Sequence, residues 1–270
     1  MNKKNDFSQK MHSYLRHPAS LIMMILVKLA AFITFTVLIF LIVYILVHGV
    51  PYLKPSLFSL HYNSENASLM PALINTVIMT LLSLLLAVPI GIFSAIFLAE
   101  YAGKGNKFVD IIRLTTETLS GIPSIVYGLF GMLFFVSTCH WGFSLLAGAF
   151  TLAIMILPLI MRTTEEALLS VPDSYREGSF GLGAGKLRTV FYIVLPSAVP
   201  GILAGVILAI GRIVGETAAL IYTAGSVAQV PSSVLGSGRT LAVHMYLLAS
   251  EGLYMDQAYA TAVILLVLVV

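Results

Sequence analysis

Long apolar runs separated by short polar segments dominate the chain. The first run, Leu29–His48, carries no charged residue and has about the 20 residues that a helix needs to cross a bilayer. A second run extends from Met70 to Ala99 and contains Pro89, which membrane helices tolerate. Both runs predict membrane-spanning helices, and residues 1–28 before them are expected to form a cytosolic N-terminal tail.

The second half of the chain predicts four more spans. From Thr118 to Met161 the sequence holds no charged residue over 44 positions, which is long enough for two spans. The last apolar run has 13 residues, fewer than the roughly 17 that a span requires, so we expect a C-terminus that is truncated rather than a short terminal helix. These four spans are Leu119–Thr138, Phe143–Met161, Ala198–Tyr222 and Ala258–Val270.

Composition supports an all-α polytopic membrane protein with about six spans. The chain is 59% hydrophobic and 10% charged, whereas a soluble domain carries roughly 25% charged residues. No basic stripe with interleaved aromatic residues is present, so we expect no nucleic-acid partner. The single cysteine, Cys139, excludes an internal disulfide, and the scattered histidines do not have metal-ligand spacing.

The distribution of basic residues predicts the orientation. If the N-terminus is cytosolic, the inner segments hold twelve of the fifteen Lys and Arg residues. The outer segments then hold Lys54 and Arg239, and Arg212 lies within a span. Basic residues favour the cytosolic side. We therefore expect an uncleaved first span, with the N-terminus and the polar segment 162–196 in the cytosol.

The polar part of that segment predicts a short helix followed by a sharp turn. Ser170 is a candidate helix cap, and Tyr175–Leu182 forms the helix. Gly183 and its neighbouring glycines permit positive φ and hence a tight elbow, after which Lys186 begins the next helix. Such a structure indicates a docking site for a soluble partner, and the alternative is a re-entry loop without a partner.

The string GLGAGK at 181–186 resembles a phosphate-binding loop but does not have its spacing. That motif requires glycine where Phe180 stands and serine or threonine where Leu187 stands. No arrangement of Ser, His and Asp or of paired carboxylates indicates catalysis. The chain is therefore expected to bind no nucleotide, cofactor or metal and not to be an enzyme.

Two charged residues fall inside the fifth predicted span. Charges within a span are costly and usually functional. Arg212 and Glu216 are four residues apart, which places both on one helix face if the helix is continuous. They either form a buried ion pair that locks helices together, or Arg212 faces an anion pathway. Ser120–Tyr127 contains a glycine and a proline that either simply kink the helix or open backbone groups towards a cavity.

The polar segment after the fourth predicted span and two further segments of the chain together resemble the permease subunits of type I ATP-binding-cassette (ABC) importers. They resemble the phosphate-import permeases most closely. Glu177 and Gly183 have the spacing of the docking loop of that family, although Gly178-Ser179 replaces the usual Ala-Ala. The similarity covers most of the chain from about Pro71. The strings that carry it are IIRLTTETLSGIPSIVYGLFG (111–131), VPDSYREGSFGLGAGKLRTVFYIVLPSAVPGI (171–202) and GRIVGETAALIYTAG (211–225).

This resemblance implies a type I permease helix bundle spanning residues 70–270 with a cytosolic coupling helix. It also implies a bacterial inner-membrane complex with a second permease subunit, two ATPase subunits that bind ATP and magnesium, and an extracytoplasmic phosphate-binding protein. Arg212 and Glu216 would be the charges of the phosphate pathway. The ATPase-coupling positions would be Glu177, Gly178, Ser179, Gly183, Ile193, Leu195 and Pro196.

Two other functions remain open from the sequence. One is the permease of an importer for another oxyanion or small solute. The other is a channel or scaffold with a cytosolic docking loop and no ABC partner.

Overall fold

The computed structural model of the chain describes residues 18–102 and 105–269, and this part is helical without strands. Apart from two short 3-10 helices, Val50–Tyr52 and Pro55–Phe58, the helices of this part are α1 Pro18–Gly49, α2 Met70–Tyr101, α3 Lys107–Ser120, α4 Ser124–Thr138, α5 Leu145–Leu169, α6 Asp173–Gly181, α7 Lys186–Val214, α8 Ala218–Ile221, α9 Leu241–Glu251 and α10 Met255–Val269.

Four of these helices, α1, α2, α5 and α7, are long and apolar enough to cross a membrane. α3 and α4 qualify as a fifth span if they are taken together, although the chain bends by 100° between them. α10 is apolar and has 15 residues. The all-helical polytopic class is confirmed.

The helices α2, α5 and α7 form the centre of the bundle. Their contact is close: a Cβ added to Gly91 of α2 would lie 2.7 Å from Ile160 Cγ2 of α5. Several hydroxyl groups in the interior donate along their own helix, as where Ser83 Oγ donates to the carbonyl of Met79 at 2.7 Å. Apolar side chains such as Met155 and Ile156 are fully buried here, so this centre excludes water without leaving these hydroxyls unpaired.

The two ends of the bundle have separate apolar clusters. At the end that carries α6, called the α6 end below, Ile96, Leu168 and Val194 from the three central helices meet. At the opposite end, Leu69, just before α2, packs with Leu241 of α9 and Ala260 of α10. α1 stands apart from the centre and contacts α10 where Tyr44 lies edge-on to Tyr259.

The second predicted span, from Met70 to Ala99, is confirmed as α2. The fourth and fifth differ from the expected bounds, because α5 continues through Arg162 to Leu169 and α7 begins at Lys186 and ends at Val214. Charged residues therefore did not stop the helix at the end of α5, where Arg162 and Glu166 are exposed and Glu165 pairs with Arg113.

The third predicted span, Leu119–Thr138, is wrong at its start. Leu119 and Ser120 belong to α3, and the new helix begins at Ser124 after a break at 121–123. Pro123 removes a backbone donor, so the two segments do not form one straight helix.

The segment 224–257, between the fifth and sixth predicted spans, contains the helix α9. Its residues Leu241 and Val243 are fully buried, and the backbone N–H of Leu241 donates to Thr76 Oγ1 of α2 at 2.8 Å. With 11 residues, α9 is too short for a span, which is why a search for spans did not find it.

Candidate functional site

The short helix α6 follows the end of α5 after a three-residue connection. Asp173 occupies its first turn, where an acidic side chain interacts favourably with the helix dipole. The predicted capping role of Ser170 at this helix is wrong. Ser170 instead ends α5, and its hydroxyl donates to the carbonyl of Ala167 at 2.7 Å. Val171 and Pro172 separate it from α6, so its side chain does not reach the free N–H groups of that helix.

The turn after α6 is the tight elbow that the glycines predict. Gly183 has φ of +82°, and its N–H donates to the carbonyl of Phe180 at 2.9 Å. The N–H of Ala184 donates to the carbonyl of Ser179 at 3.1 Å. Because residues other than glycine rarely adopt this φ, Gly183 fixes the direction in which α7 leaves α6.

The elbow presents an uneven surface to solvent. Glu177 and Gly178 are exposed on α6, and Leu182 is 91% exposed, an unusual exposure for a leucine at a polar turn. A cavity of about 310 Å³ lies beside Leu182 and is also lined by Tyr192 and Ile193 of α7. An exposed apolar side chain next to a hollow is the form that a protein-docking surface takes.

Not all of the predicted coupling positions lie on this surface. Ser179 is buried, and its hydroxyl bonds with Thr189 Oγ1 at 2.8 Å, so it joins α6 to the start of α7. Ile193 and Leu195 are half-buried in α7, and Pro196 is exposed. A wide, π-helical stretch at Val190–Val194 precedes Pro196, the residue that has no N–H to continue the helical bonding.

Arg212 and Glu216 do not share a helix face, contrary to the sequence prediction. α7 ends at Val214, with Arg212 half-buried in its last turn. Glu216 lies beyond that end and is buried, and its Oε1 accepts from the N–H of Ala219 at 3.1 Å. The two residues do not form an ion pair within the described chain. Glu216 instead caps the short helix α8.

The break between α3 and α4 lies next to Arg212 and α8. Tyr127 of α4 is close enough to Arg212 for electrostatic interaction, and its hydroxyl donates to the carbonyl of Leu119 at 2.7 Å. Gly128 packs directly against α8, where a Cβ would lie 2.8 Å from Ala219 Cα. Two interrupted helices therefore face each other, and a half-buried guanidinium stands at their junction.

A second charged region, near the α6 end, was not singled out from the sequence. It lines a cavity of about 240 Å³ between α3 and α5. Arg113 Nη2 pairs with Glu165 Oε1 at 2.7 Å across these helices, and Arg162 pairs with Glu166 at 3.0 Å. The i,i+4 spacing of Arg162 and Glu166 was a visible signal, whereas the Arg113–Glu165 pair depends on the packing of α3 on α5.

Comparison with known proteins gives a consistent family. Residues 87–270 match the model of the binding-protein-dependent transport system inner membrane component family. The chain is 35% identical over 243 residues to a Bacillus subtilis protein named as a probable ABC transporter permease, YqgI, and the match covers 84% of this chain and 82% of that protein.

Other relatives carry a more specific name. The phosphate transport system permease PstA of Haemophilus influenzae is 39% identical over 178 residues, covering 65% of this chain and 62% of the relative. PstA 2 of Mycobacterium tuberculosis is 40% identical over 161 residues, covering 60% of this chain and 53% of the relative. The chain thus matches between half and two thirds of the length of these PstA proteins.

Solved structures of ABC importers have the same fold. A bacterial ABC transporter for import of the acidic polysaccharide alginate aligns with a TM-score of 0.64 at 17% identity, covering 96% of both chains. The MetNI methionine ABC transporter aligns with a TM-score of 0.60 at 23% identity, covering 74% of this chain and 89% of that one. At these identities the likeness concerns the fold and not the solute.

Proposed function

This chain belongs to the binding-protein-dependent transport system inner membrane component family and is the permease of an ABC importer, and we propose that its solute is inorganic phosphate. The observation that carries the proposal is the 39–40% identity with proteins named as phosphate transport permeases. The permease is the membrane subunit of such an importer rather than its catalytic subunit.

The charge at the helix junction supports an anionic solute. Arg212 is half-buried beside the broken α3–α4 pair and is not neutralised by Glu216. A guanidinium offers planar, paired donors that match the oxygens of phosphate. We therefore propose that Arg212 contacts phosphate during passage, and that Glu216 acts on the pathway by holding α8 in place.

The proposed energy coupling runs through α6 and the elbow. Two ATPase subunits, which bind ATP and magnesium, would dock against the surface formed by Glu177, Gly178 and Leu182. A second permease would complete the pathway, and an extracytoplasmic binding protein would deliver phosphate to the opposite end. With this arrangement the α6 end and the N-terminus lie in the cytosol, as the basic residues favour.

Transport of another solute is the main alternative. The YqgI relative is named only as a probable ABC transporter permease, and the structural relatives import methionine or alginate. The scaffold or channel alternative loses its basis, because the chain belongs to a transport family whose members work with binding proteins.

Reconstitution of the complete importer in proteoliposomes tests the proposal. We expect ATP-dependent uptake of labelled phosphate that requires the binding protein and is not competed by a tenfold excess of sulfate. Uptake of sulfate or of an amino acid in place of phosphate would contradict the proposal and support the alternative.

The role of Arg212 has its own test. Arg212→Gln should reduce phosphate uptake at least tenfold in an assembled complex, and Arg212→Lys should restore it only in part. Lys107→Gln, an exposed change at the start of α3, serves as the matched loss-of-charge control. Uptake by Arg212→Gln at the level of the control would remove Arg212 from the pathway.

A further inference from the structure

Arg176 of α6 turns back into the bundle instead of facing the proposed docking surface. Its side chain is 15% exposed, and that of its partner Glu100, at the end of α2, is 8% exposed. Arg176 Nη2 lies 2.6 Å from Glu100 Oε1, and Nε lies 3.2 Å from the same oxygen. The neighbouring Glu177 is exposed. Adjacent residues of α6 thus face opposite sides, one towards the partner and one towards the bundle.

The guanidinium of Arg176 has a partner for each of its five N–H donors. Besides the bonds to Glu100, Nη2 donates to the carbonyl of Leu168 at 2.9 Å. Nη1 donates to the carbonyl of Val171 at 2.8 Å and contacts Asp173 Oδ1 at 3.3 Å. Leu168 lies in the last turn of α5 and Val171 in the connection to α6, where carbonyl groups lack donors from a next helical turn. One side chain therefore joins α6 to the ends of both α2 and α5.

These contacts are of the strong kind. Both charges are largely withdrawn from water. Removal of one partner from a buried ion pair lowers the stability of a protein much more than the same removal from an exposed pair. The exposed pair Arg162–Glu166, with both side chains about 60% exposed, is the weak kind. The Arg176 contacts are thus expected to persist when α6 is pushed or pulled.

We propose that Arg176 is a positioning residue for energy coupling: it fastens α6 to α2 and α5, so that a displacement of α6 by the ATPase moves these two central helices with it. This proposal rests on the proposed docking of the ATPase at α6. α2 and α5 are the helices whose close contact forms the bundle's centre, and α5 also lines the charged cavity near the α6 end. The elbow at Gly183, in contrast, sets the direction of α7.

Lysine cannot replace arginine in this arrangement. An ammonium group has three donors around one point and lacks the planar fork that reaches a carboxylate and two carbonyls together. Arg176→Lys keeps the positive charge but removes most of the hydrogen bonds that join α6 to α2 and α5. The variant therefore distinguishes the role of these hydrogen bonds from that of the charge alone.

The first experiment measures coupling in the reconstituted importer. In the complexes that assemble with Arg176→Lys, Arg176→Gln or Glu100→Gln, we expect ATP hydrolysis per complex within twofold of wild type, whatever the yield of complex. Solute imported per ATP should fall at least tenfold, and the binding protein should no longer stimulate hydrolysis. Lys107→Gln is the control and should match wild type. A residue that only stabilised the fold would lower the yield of complex and leave the solute-to-ATP ratio unchanged, and that result would overturn the proposal.

The second experiment does not depend on which solute is carried. Spin labels are placed at Ser174→Cys on α6 and at Leu85→Cys on the exposed face of α2, in a Cys139→Ala background. In wild type the distance between them should stay the same with and without ATP, and in Arg176→Gln ATP should shift or broaden it. An ATP-dependent shift in wild type, or none in Arg176→Gln, would overturn the proposal. Failure of wild type to import phosphate would overturn only the phosphate assignment, because this distance is measured without solute.

Discussion

Glycines in the elbow and glycines in the bundle have opposite surroundings. At Gly178 and Gly183, an added Cβ would meet no atom within 4 Å. At Gly128 it would lie 2.8 Å from the backbone of Ala219, and at Gly205 it would collide with the side chain of Thr163. Within the bundle, glycine allows two helices to approach closely. In the elbow, it serves conformation at Gly183 and leaves open surface at Gly178.

Because of this difference, mutations can distinguish effects on the stability of the fold from effects on the coupling to the ATPase. A larger side chain at Gly128 or Gly205 must displace the neighbouring helix or its side chain, so it changes stability and every function together. A larger side chain in the elbow leaves this chain's packing intact, so any loss must arise from backbone strain or from a partner. The two classes of glycine therefore predict different pairs of measurements.

The largest effect is expected at Gly128. In Gly128→Leu the new side chain meets backbone atoms of α8, which cannot rotate away, and overpacking of this kind costs about 3 kcal/mol. We expect a lower midpoint of heat unfolding for the purified complex, together with loss of uptake and of ATP hydrolysis.

Gly211→Ala is the matched control for that change. Gly211 lies in α7 near the same junction, and an added Cβ there meets no atom within 4 Å. It should leave stability unchanged or raise it by up to about 1 kcal/mol. Equal unfolding midpoints for Gly128→Leu and Gly211→Ala would show that α4 and α8 do not pack as described.

The second largest effect is expected at Gly183, where the substitution should change the coupling of ATP hydrolysis to uptake. Gly183→Val places a β-branched residue at φ of +82°, which costs about 1–3 kcal/mol of local strain. The bundle should still assemble, whereas ATPase subunits should detach or hydrolyse ATP without uptake. Co-purification and uptake per ATP measure this. Gly181→Val, two residues earlier and without positive φ, controls for the added bulk. Normal uptake by Gly183→Val would exclude the elbow from coupling.

The sequence was sufficient for the elements that depend on local pattern. The long apolar helices and the elbow at Gly183 follow from run length and from glycine spacing. The end of α7 at Val214 was missed because the apolar residues of α8 continue the run, although Gly215 was a visible stop signal. The contact of Arg176 with Glu100 joins positions 76 residues apart, and no local pattern encodes which charged ends the tertiary fold brings together.

A smaller effect is expected at Glu216, where the cap and the charge can be separated. Glu216→Gln keeps an oxygen that accepts from the N–H of Ala219, so α8 should keep its start. Glu216→Leu removes the acceptor and should lower stability by about 1 kcal/mol, a typical value for loss of a cap. Heat unfolding of both variants measures this difference. Equal losses in the two variants would mean that the charge of Glu216 matters and the cap does not.

The smallest change in stability is expected at Gly178, the exposed glycine of the proposed docking surface. Gly178 lies inside α6, is exposed and has open space around it, so alanine fits without displacing any atom of this chain. Alanine in a helix interior is favoured over glycine by about 1 kcal/mol. Gly178→Ala should therefore raise the stability of α6 slightly, seen as slower exchange of its amide hydrogens, and ATPase docking should be retained. If docking is lost although α6 is more stable, the missing Cβ is needed by the partner, and the open surface at Gly178 is then the point of closest approach between permease and ATPase.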